Sequence, residues 1–232
     1  MIRWAFAAIA ALAVTHAPAA AQDWNTVYEQ TAQGHRIGFP DAEIQLIEFS
    51  SYTCPHCASF EQESEAELKY FYVHEGLASF EVRHLIRNIV DVAAAMVAEC
   101  GPDENFFGNH RALLVTQADW LARAQALTPA QQQRWNSGTV PARLRAIADD
   151  LEFYELMEPR GYSITQIDQC LNDPARADAL VAASQANAAE YDVPGTPAIV
   201  LNGTLLEGVH SWPRLREVLI ALTTPPEVNI FD

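Results

Sequence analysis

The first half of the chain passes from apolar runs to charged segments and back. Residues 44–49 form an apolar run after a Pro-Asp turn, and residues 79–86 alternate in polarity, so both predict strands. Residues 55 to about 72 predict a helix. Its apolar positions, expected in the core, are Phe60, Leu68 and Phe71. The second strand is expected to direct Phe80, Val82 and His84 inward, whereas residues 23–33 form only a lead-in.

From about residue 90 to residue 191 the apolar positions follow helical spacing. Gly and Pro breaks divide this block into about five predicted helices with no strand. Two apolar runs, 198–201 and 204–207, then flank Asn202-Gly203 and predict a hairpin. Residues 211–222 predict a closing helix. The helical block is too long to be a simple connection between two strands, so we expect it to form a subdomain. It should lie beside a small sheet covered by helices.

The amino terminus has the composition of a secretory signal peptide. Arg3, a short apolar run and the small residues up to Ala21 predict that residues 1–21 are removed. The run is shorter than the ~20 residues of a membrane span, although an uncleaved anchor is an alternative. We therefore expect an exported protein in a compartment where disulfides persist.

The net charge is strongly negative. The chain has 30 Asp and Glu residues against 14 Lys and Arg residues, a formal charge of −16. Such a surface disfavours nucleic acid and anionic lipid as partners. We expect no nucleic-acid partner, and solubility is the simpler role of the charge.

The candidate chemistry centres on Cys54-Pro55-His56-Cys57, between a predicted strand and a predicted helix. A cysteine at a helix N-terminus faces free backbone N–H groups and the positive end of the helix dipole, which favour a thiolate. Cys54 should therefore have a lowered pKa and an exposed sulfur, with His56 able to donate a hydrogen bond or positive charge to it. Cys57, one turn further along, is expected to be buried and to close a reversible disulfide with Cys54.

Other uses of a CxxC pair fit this chain less well. A zinc site needs about four ligands, and no second CxxC or nearby His pair is present. A c-type haem needs His directly after the second cysteine, where this chain has Ala58. We expect no metal and no cofactor.

The chain resembles the DsbA family of thioredoxin-fold oxidoreductases. The resemblance rests on Cys54-Pro55-His56-Cys57, on Thr196-Pro197 before a strand and on the helical block between them, and it spans about residues 36–222. It implies an α/β fold, a thioredoxin fold with an inserted all-helical subdomain. The implied thioredoxin-like domain comprises residues 22–88 and 192–232, and the implied helical insertion comprises residues 89–191.

The resemblance also assigns roles outside the CxxC pair. Glu48 matches a buried carboxylate of the family, whose raised pKa would let it exchange protons with Cys57. A solvated edge position is the alternative for Glu48. Glu61 is expected at the surface, and an electrostatic effect of its charge on the site is the alternative. Many family members place a lysine near the buried acid, whereas the only lysine here is Lys69. Arg83 or His84 are the candidates to replace it.

Pro197 is the expected cis-proline of the family. The loop would pack beside the CxxC pair, so that the backbone of Thr196 could pair with an extended substrate by strand addition. Cys100 and Cys170 both lie in the helical block, and two remaining cysteines of an exported protein most simply form a structural disulfide. A second redox pair and two free thiols are the alternatives.

These features predict a periplasmic dithiol oxidase that donates a disulfide to reduced exported polypeptides. The family resemblance implies a DsbB-type membrane oxidant as its partner. A disulfide isomerase or reductase is the enzyme alternative, and a peptide-binding chaperone with an incidental CxxC is the alternative from another class. The short segment 22–35 is expected to be too short to oligomerise, so we expect a monomer.

Overall fold

A computed structural model describes residues 22–224, and the predicted signal peptide lies outside the described residues. Six strands form one mixed sheet in the order β1-β2-β4-β3-β5-β6. The strands are β1 (Tyr28–Gln30), β2 (His35–Gly38), β3 (Ile44–Ser50), β4 (Ala78–His84), β5 (Ala198–Leu201) and β6 (Thr204–Leu205). The β3–β4 pair is parallel and the other pairs are antiparallel.

The two parallel strands are joined by the helix that follows the CxxC pair. Helix α1 (Pro55–Glu67) has Cys54 as its N-cap and continues through one π-helical turn, Leu68–Val73, before a short turn leads to β4. The wider turn changes which side chains face inward, because a π-helix places more residues in each turn than an α-helix does. Phe71 is therefore 65% exposed, and its predicted place in the core is wrong, whereas Phe60 and Leu68 are buried as predicted.

The region between β4 and β5 is helical, in shorter pieces than predicted. The helices are α2 (Ile89–Ala98), α3 (Phe106–Val115), α4 (Gln117–Gln125), α5 (Pro129–Asn136), α6 (Val140–Asp150), α7 (Phe153–Met157), α8 (Ile164–Leu171) and α9 (Pro174–Glu190). Capping boxes at Thr128 and Ser163, where side chains satisfy the first N–H groups of the next helix, mark two of the observed helix starts. Eight α-helices lie between β4 and β5, so the expected count of about five was too low.

The chain before β3 was also underestimated, because the predicted lead-in contains β1 and the residues that follow it form β2. Short segments such as these carry little periodicity of their own, and pairing of His35–Gly38 with β4 decides their conformation. The closing helix α10 (Trp212–Thr223) packs on α1 through the rings of Phe60 and Trp212, which lie 6.3 Å apart. One apolar core continues from this side of the sheet into the helical region.

The findings support a thioredoxin-type fold with a helical insertion. The division at residues 88 and 192 stays a prediction. Among residues 22–224, no helix combines the length and apolar character needed to cross a membrane.

Candidate active site

The two cysteines of the CxxC pair differ in their surroundings. Cys54 is the N-cap residue of α1 with Pro55 as the first helical residue, and its sulfur lies 3.3 Å from the carbonyl oxygen of Thr196. Cys57, one turn further along, is fully buried. Both are free thiols in this structure. Cys54 is itself only 4% exposed, so the expectation of an exposed sulfur at Cys54 is wrong, because the loop of Thr196 packs against it.

This arrangement separates the acidities of the two thiols. The pKa of Cys54 falls from 9.0 to about 5, chiefly because the Cys57 thiol can donate a hydrogen bond to its thiolate. Hydrogen bonding from Thr196 and from the backbone N–H groups of Cys57 and His56 lowers it further, against the opposing effect of burial. Burial raises the pKa of Cys57 well above its usual range. The site therefore favours a Cys54 thiolate beside a neutral Cys57 thiol.

His56 contributes to this site through its backbone. Its N–H group is one of the donors that lower the pKa of Cys54, while its side chain is exposed beside the loop of Thr196 and Pro197. A role for the imidazole itself stays a prediction.

Two residues of the helical region hold the loop before Cys54. Gln117 at the start of α4 donates hydrogen bonds to the carbonyl oxygens of Tyr52 (2.6 Å) and Cys54 (2.9 Å). Asp91 in the first turn of α2 is buried and accepts hydrogen bonds from the backbone N–H and the hydroxyl of Thr53 (2.9 and 3.1 Å). Sequence reasoning missed both residues, because contacts between distant segments leave no local pattern.

Glu48 is fully buried on β3, and neither of its carboxyl oxygens makes a hydrogen bond. Burial, and then the nearby negative charge of Glu61, raises the pKa of Glu48 to about 8. Its charge in turn helps to raise the pKa of Cys57. Glu48 is thus a buried acid next to the inner cysteine, and the alternative of a solvated edge position is wrong.

Glu61 is only 6% exposed, so its expected surface position is wrong. It lies in α1 four residues after Cys57, on the helix face that packs against α3, where Arg111 Nη1 is 3.5 Å from its carboxylate. Burial raises the pKa of Glu61 to about 7, although Arg111 opposes the rise. Lys69 pairs with Glu65 at 3.0 Å.

The strand register places Arg83 and His84, the two candidates to replace the lysine near the buried acid, on different faces of the sheet. In the parallel β3–β4 ladder Phe49 is opposite Arg83 and Ser50 is opposite His84. Because side chains alternate across a sheet, His84 shares the face of Glu48, whereas Arg83 lies on the other face. There Arg83 binds Glu81 and Glu190. Arg83 is therefore wrong as a partner of Glu48.

The Thr196–Pro197 peptide bond is cis. Together with His56, the loop borders a groove of about 550 Å³. His210 also lines this groove, with its Nδ1 3.0 Å from the carbonyl oxygen of Pro197, and no pattern in the sequence pointed to it. The groove could accept an extended polypeptide beside Cys54.

Cys100 and Cys170 are joined by a disulfide across the helical region. It ties the end of α2 to α8, about 70 residues apart in the chain. Cys100 is buried, and Cys170 is partly buried.

Comparisons with known proteins agree with this architecture. The family model described as thioredoxin matches residues 30–221. This chain belongs to the thioredoxin family. The crystal structure of a protein-disulfide isomerase from Novosphingobium aromaticivorans is 41% identical, with a TM-score of 0.78, and the match covers 83% of this chain and 98% of that one.

Two further proteins similar to this thioredoxin-family chain have lower sequence identity. Wolbachia pipientis alpha-DsbA1 shares the fold at 19% identity, with a TM-score of 0.63 over 81% of this chain and 89% of that one. The thioredoxin fold with a helical insertion, which the resemblance to DsbA implied, is thereby confirmed. A protein of Rickettsia conorii named as a candidate protein-disulfide oxidoreductase is 27% identical over 72% of this chain and 52% of its own length. The chain thus spans about half the length of the curated relatives it matches.

Proposed function

We propose that this protein is a thiol:disulfide oxidoreductase that donates the Cys54–Cys57 disulfide to reduced exported polypeptides. The observation that carries the proposal is the contrast between the two thiols, a pKa of about 5 for Cys54 and a raised pKa for Cys57. A client thiol has a pKa near ~8.5, so Cys54 is the better leaving group. The disulfide should therefore pass from this protein to the client.

The reaction proceeds in two exchanges. A client thiolate attacks the sulfur of Cys54, the Cys54–Cys57 bond breaks, and Cys57 takes a proton from Glu48 as it leaves. A second client thiolate then attacks the client sulfur of the mixed disulfide, and Cys54 leaves as a thiolate that needs no proton. The client is oxidised by two electrons, and the pair Cys54 and Cys57 is reduced.

The groove beside Cys54 would hold the client during these exchanges. An extended segment of the client could pair with the backbone of Thr196, and the loop of Pro197 would keep that segment next to the reactive sulfur. The lack of bulky side chains at Gly195 and Gly208, where an added Cβ would meet no atom within 4 Å, leaves room for client side chains of different size.

The compartment and the partner follow as parts of the same proposal. The predicted signal peptide and the Cys100–Cys170 disulfide both suit the periplasm, where disulfides persist. A DsbB-type membrane oxidant would restore the Cys54–Cys57 disulfide after each cycle. The protein would act as a monomer.

A disulfide isomerase is the second candidate, favoured by the similarity to the N. aromaticivorans protein. The two activities are separated by giving the purified protein either a fully reduced client or a client with scrambled disulfides. We expect rapid oxidation of the first and little rescue of the second, with a monomeric mass by light scattering. A dimer that rescues the scrambled client efficiently would overturn the oxidase proposal.

A chaperone role is tested with the same clients. Replacing Cys54 and Cys57 together by serine should abolish oxidation of the reduced client. A double variant that supports client folding as well as the unchanged protein does would favour the peptide-binding chaperone.

A further inference from the structure

Buried polar atoms without a hydrogen-bond partner form a row on one face of the sheet. They include both carboxyl oxygens of Glu48, the hydroxyl of Ser50 and the Nδ1 atom of His84. Glu48 and Ser50 lie two residues apart on β3, and Ser50 is directly opposite His84 on β4. Residues two apart on a strand, and residues opposite each other in neighbouring strands, project from the same face. The row therefore leads from the buried acid beside Cys57 to His84.

The row continues from His84 toward the surface. His84 Nε2 lies 3.3 Å from Oε1 of Glu99, and Arg176 holds the same carboxylate at 2.7 Å. These three side chains line a cavity of about 40 Å³, whose opposite wall includes the exposed residues Ala32 and Gln33. A cavity of this size and polarity suits one to three water molecules, at ~10–15 Å³ each.

We propose that Ser50 and His84 form a proton path between Glu48 and this cavity. His84 is then a relay residue that acts on the reaction through Glu48. The proposal rests on the proposed function in one respect, since it takes Glu48 as the group that exchanges a proton with Cys57.

The need for such a path is clearest when the reduced protein is oxidised. The Cys54 thiolate attacks an external disulfide, forms a mixed disulfide and releases one thiolate. The Cys57 thiol then gives its proton to the Glu48 carboxylate, attacks Cys54 and releases the second thiolate. The external disulfide gains the two electrons that the cysteine pair loses.

Glu48 can accept that proton only after losing its own. With a pKa of about 8, it is mostly protonated at neutral pH, and it is fully buried. Its proton would move to Ser50 and His84 and then to water in the cavity. In client oxidation the same path would return a proton to Glu48.

The surroundings of His84 suit a relay. Burial alone would raise the pKa of Glu99, but hydrogen bonds from His35 and His84 and the charge of Arg176 hold it below its usual range. An ionised Glu99 favours the tautomer of His84 with the proton on Nε2, which leaves Nδ1 free to accept another proton.

Titratable and charged groups from several elements surround His84. The titratable or charged groups that face it, besides Glu48 and Ser50, are His35 from β2, Tyr52 after β3, Glu99 from α2, His110 from α3 and Arg176 from α9. His110 stays neutral, because burial, and then any positive charge on His84 or His35, lowers its pKa to about 3.

The test uses oxidised glutathione as the external disulfide. The reduced protein is mixed with it, the reaction is quenched with acid, and mass spectrometry follows the Cys54–glutathione mixed disulfide. We expect Ser50→Ala and His84→Ala to form this species at the unchanged rate but to resolve it about tenfold more slowly at neutral pH. Added imidazole should restore resolution in His84→Ala, because it can occupy the space of the lost ring and carry the proton.

Ser79→Ala is the matched control, since Ser79 is a buried serine of β4 on the opposite face of the sheet. Ser50→Ala removes a hydroxyl without a partner, so it should leave the fold intact. The relay would be overturned if Ser50→Ala and His84→Ala resolved the mixed disulfide at the unchanged rate, or if Ser79→Ala slowed this step equally. Failure of imidazole to restore the rate in His84→Ala would also overturn it.

Glutathione also separates this proposal from the proposed function. A relay that passes these tests in a protein that oxidises no reduced client would stand, while the proposed function would fail. If the protein without substitutions never forms the Cys54–Cys57 disulfide with oxidised glutathione, the relay and the proposed function are both overturned.

Discussion

The sulfur of Cys54 lies 3.3 Å from the carbonyl oxygen of Thr196, although 142 residues separate the two along the chain. This contact joins the start of α1 to the loop before β5. The reactive cysteine and the surface proposed to bind the client are thereby parts of one site.

The acidity of Cys54 should depend on a hydrogen-bond donor at position 57. The Cys57 thiol is the largest contributor to the pKa of about 5 at Cys54. We therefore expect Cys57→Ser, which keeps a donor, to preserve a low pKa, and Cys57→Ala to raise it. Thiolate absorbance of the reduced protein against pH measures both. Equal midpoints in the two variants would contradict the assignment.

Reduced protein should be more stable than oxidised protein at neutral pH. A lowered pKa stabilises the folded reduced form fully above the unfolded value of 9.0, and this stabilisation is lost as the pH falls through about 5. The difference in melting temperature between the two forms should therefore shrink as the pH is lowered from 9.0 to about 5. A higher melting temperature for the oxidised form at neutral pH would argue against a strong oxidant.

Glu48→Gln should increase stability at alkaline pH. The pKa of Glu48 is about 8 in the folded state and 4.5 in the unfolded state. The carboxyl group therefore does not affect stability below pH 4.5, and it destabilises the folded state increasingly as the pH rises to about 8. The variant should match the unchanged protein in acid and exceed it by up to roughly 4 kcal/mol at pH 8, in the reduced state. Denaturant unfolding across this range measures the difference, and parallel stability curves would show that Glu48 titrates normally.

The Cys100–Cys170 disulfide should resist a mild reductant that opens the active-site pair, since Cys100 is buried. Alkylation and peptide mapping should then find only Cys54 and Cys57 modified. Replacing Cys100 and Cys170 by serine should lower stability by about 4 kcal/mol in the chain-entropy model. Modification of all four cysteines under the same conditions would contradict a structural role.

Gln117→Met should loosen the loop before Cys54. The change keeps the shape of the side chain but removes the donor to two buried carbonyl groups, at a cost of about 1–3 kcal/mol. Denaturant unfolding measures this, with Gln133→Met in an exposed position of α5 as the control. Equal stability of the two variants would show that α4 does not hold the loop.

Local sequence was enough to predict the elements whose signals are strong and short in range. Periodicity and breakers placed β3, α1, β4, the β5–β6 hairpin and α10 close to their observed bounds. The CxxC pair at a helix start predicted a low pKa for Cys54, because the helix end acts on the residue beside it. Segments with weak local signals were not predicted. Strand β2 depends on pairing with β4, and β1 depends on pairing with β2. A π-helical turn moved Phe71 out of the core.

Only the tertiary structure decided how the buried polar groups are arranged. The sequence placed Glu48, Arg83 and His84 on strands, but the register of β3 against β4 determined that His84 shares the face of Glu48 and that Arg83 does not. Burial of Glu61, the hydrogen bonds that Gln117 donates and those that Asp91 accepts likewise arise where α2, α3 and α4 pack against α1 and its loop. A sequence specifies which side chains are available, whereas burial and distance, which set their pKa values and partners, exist only once distant segments meet.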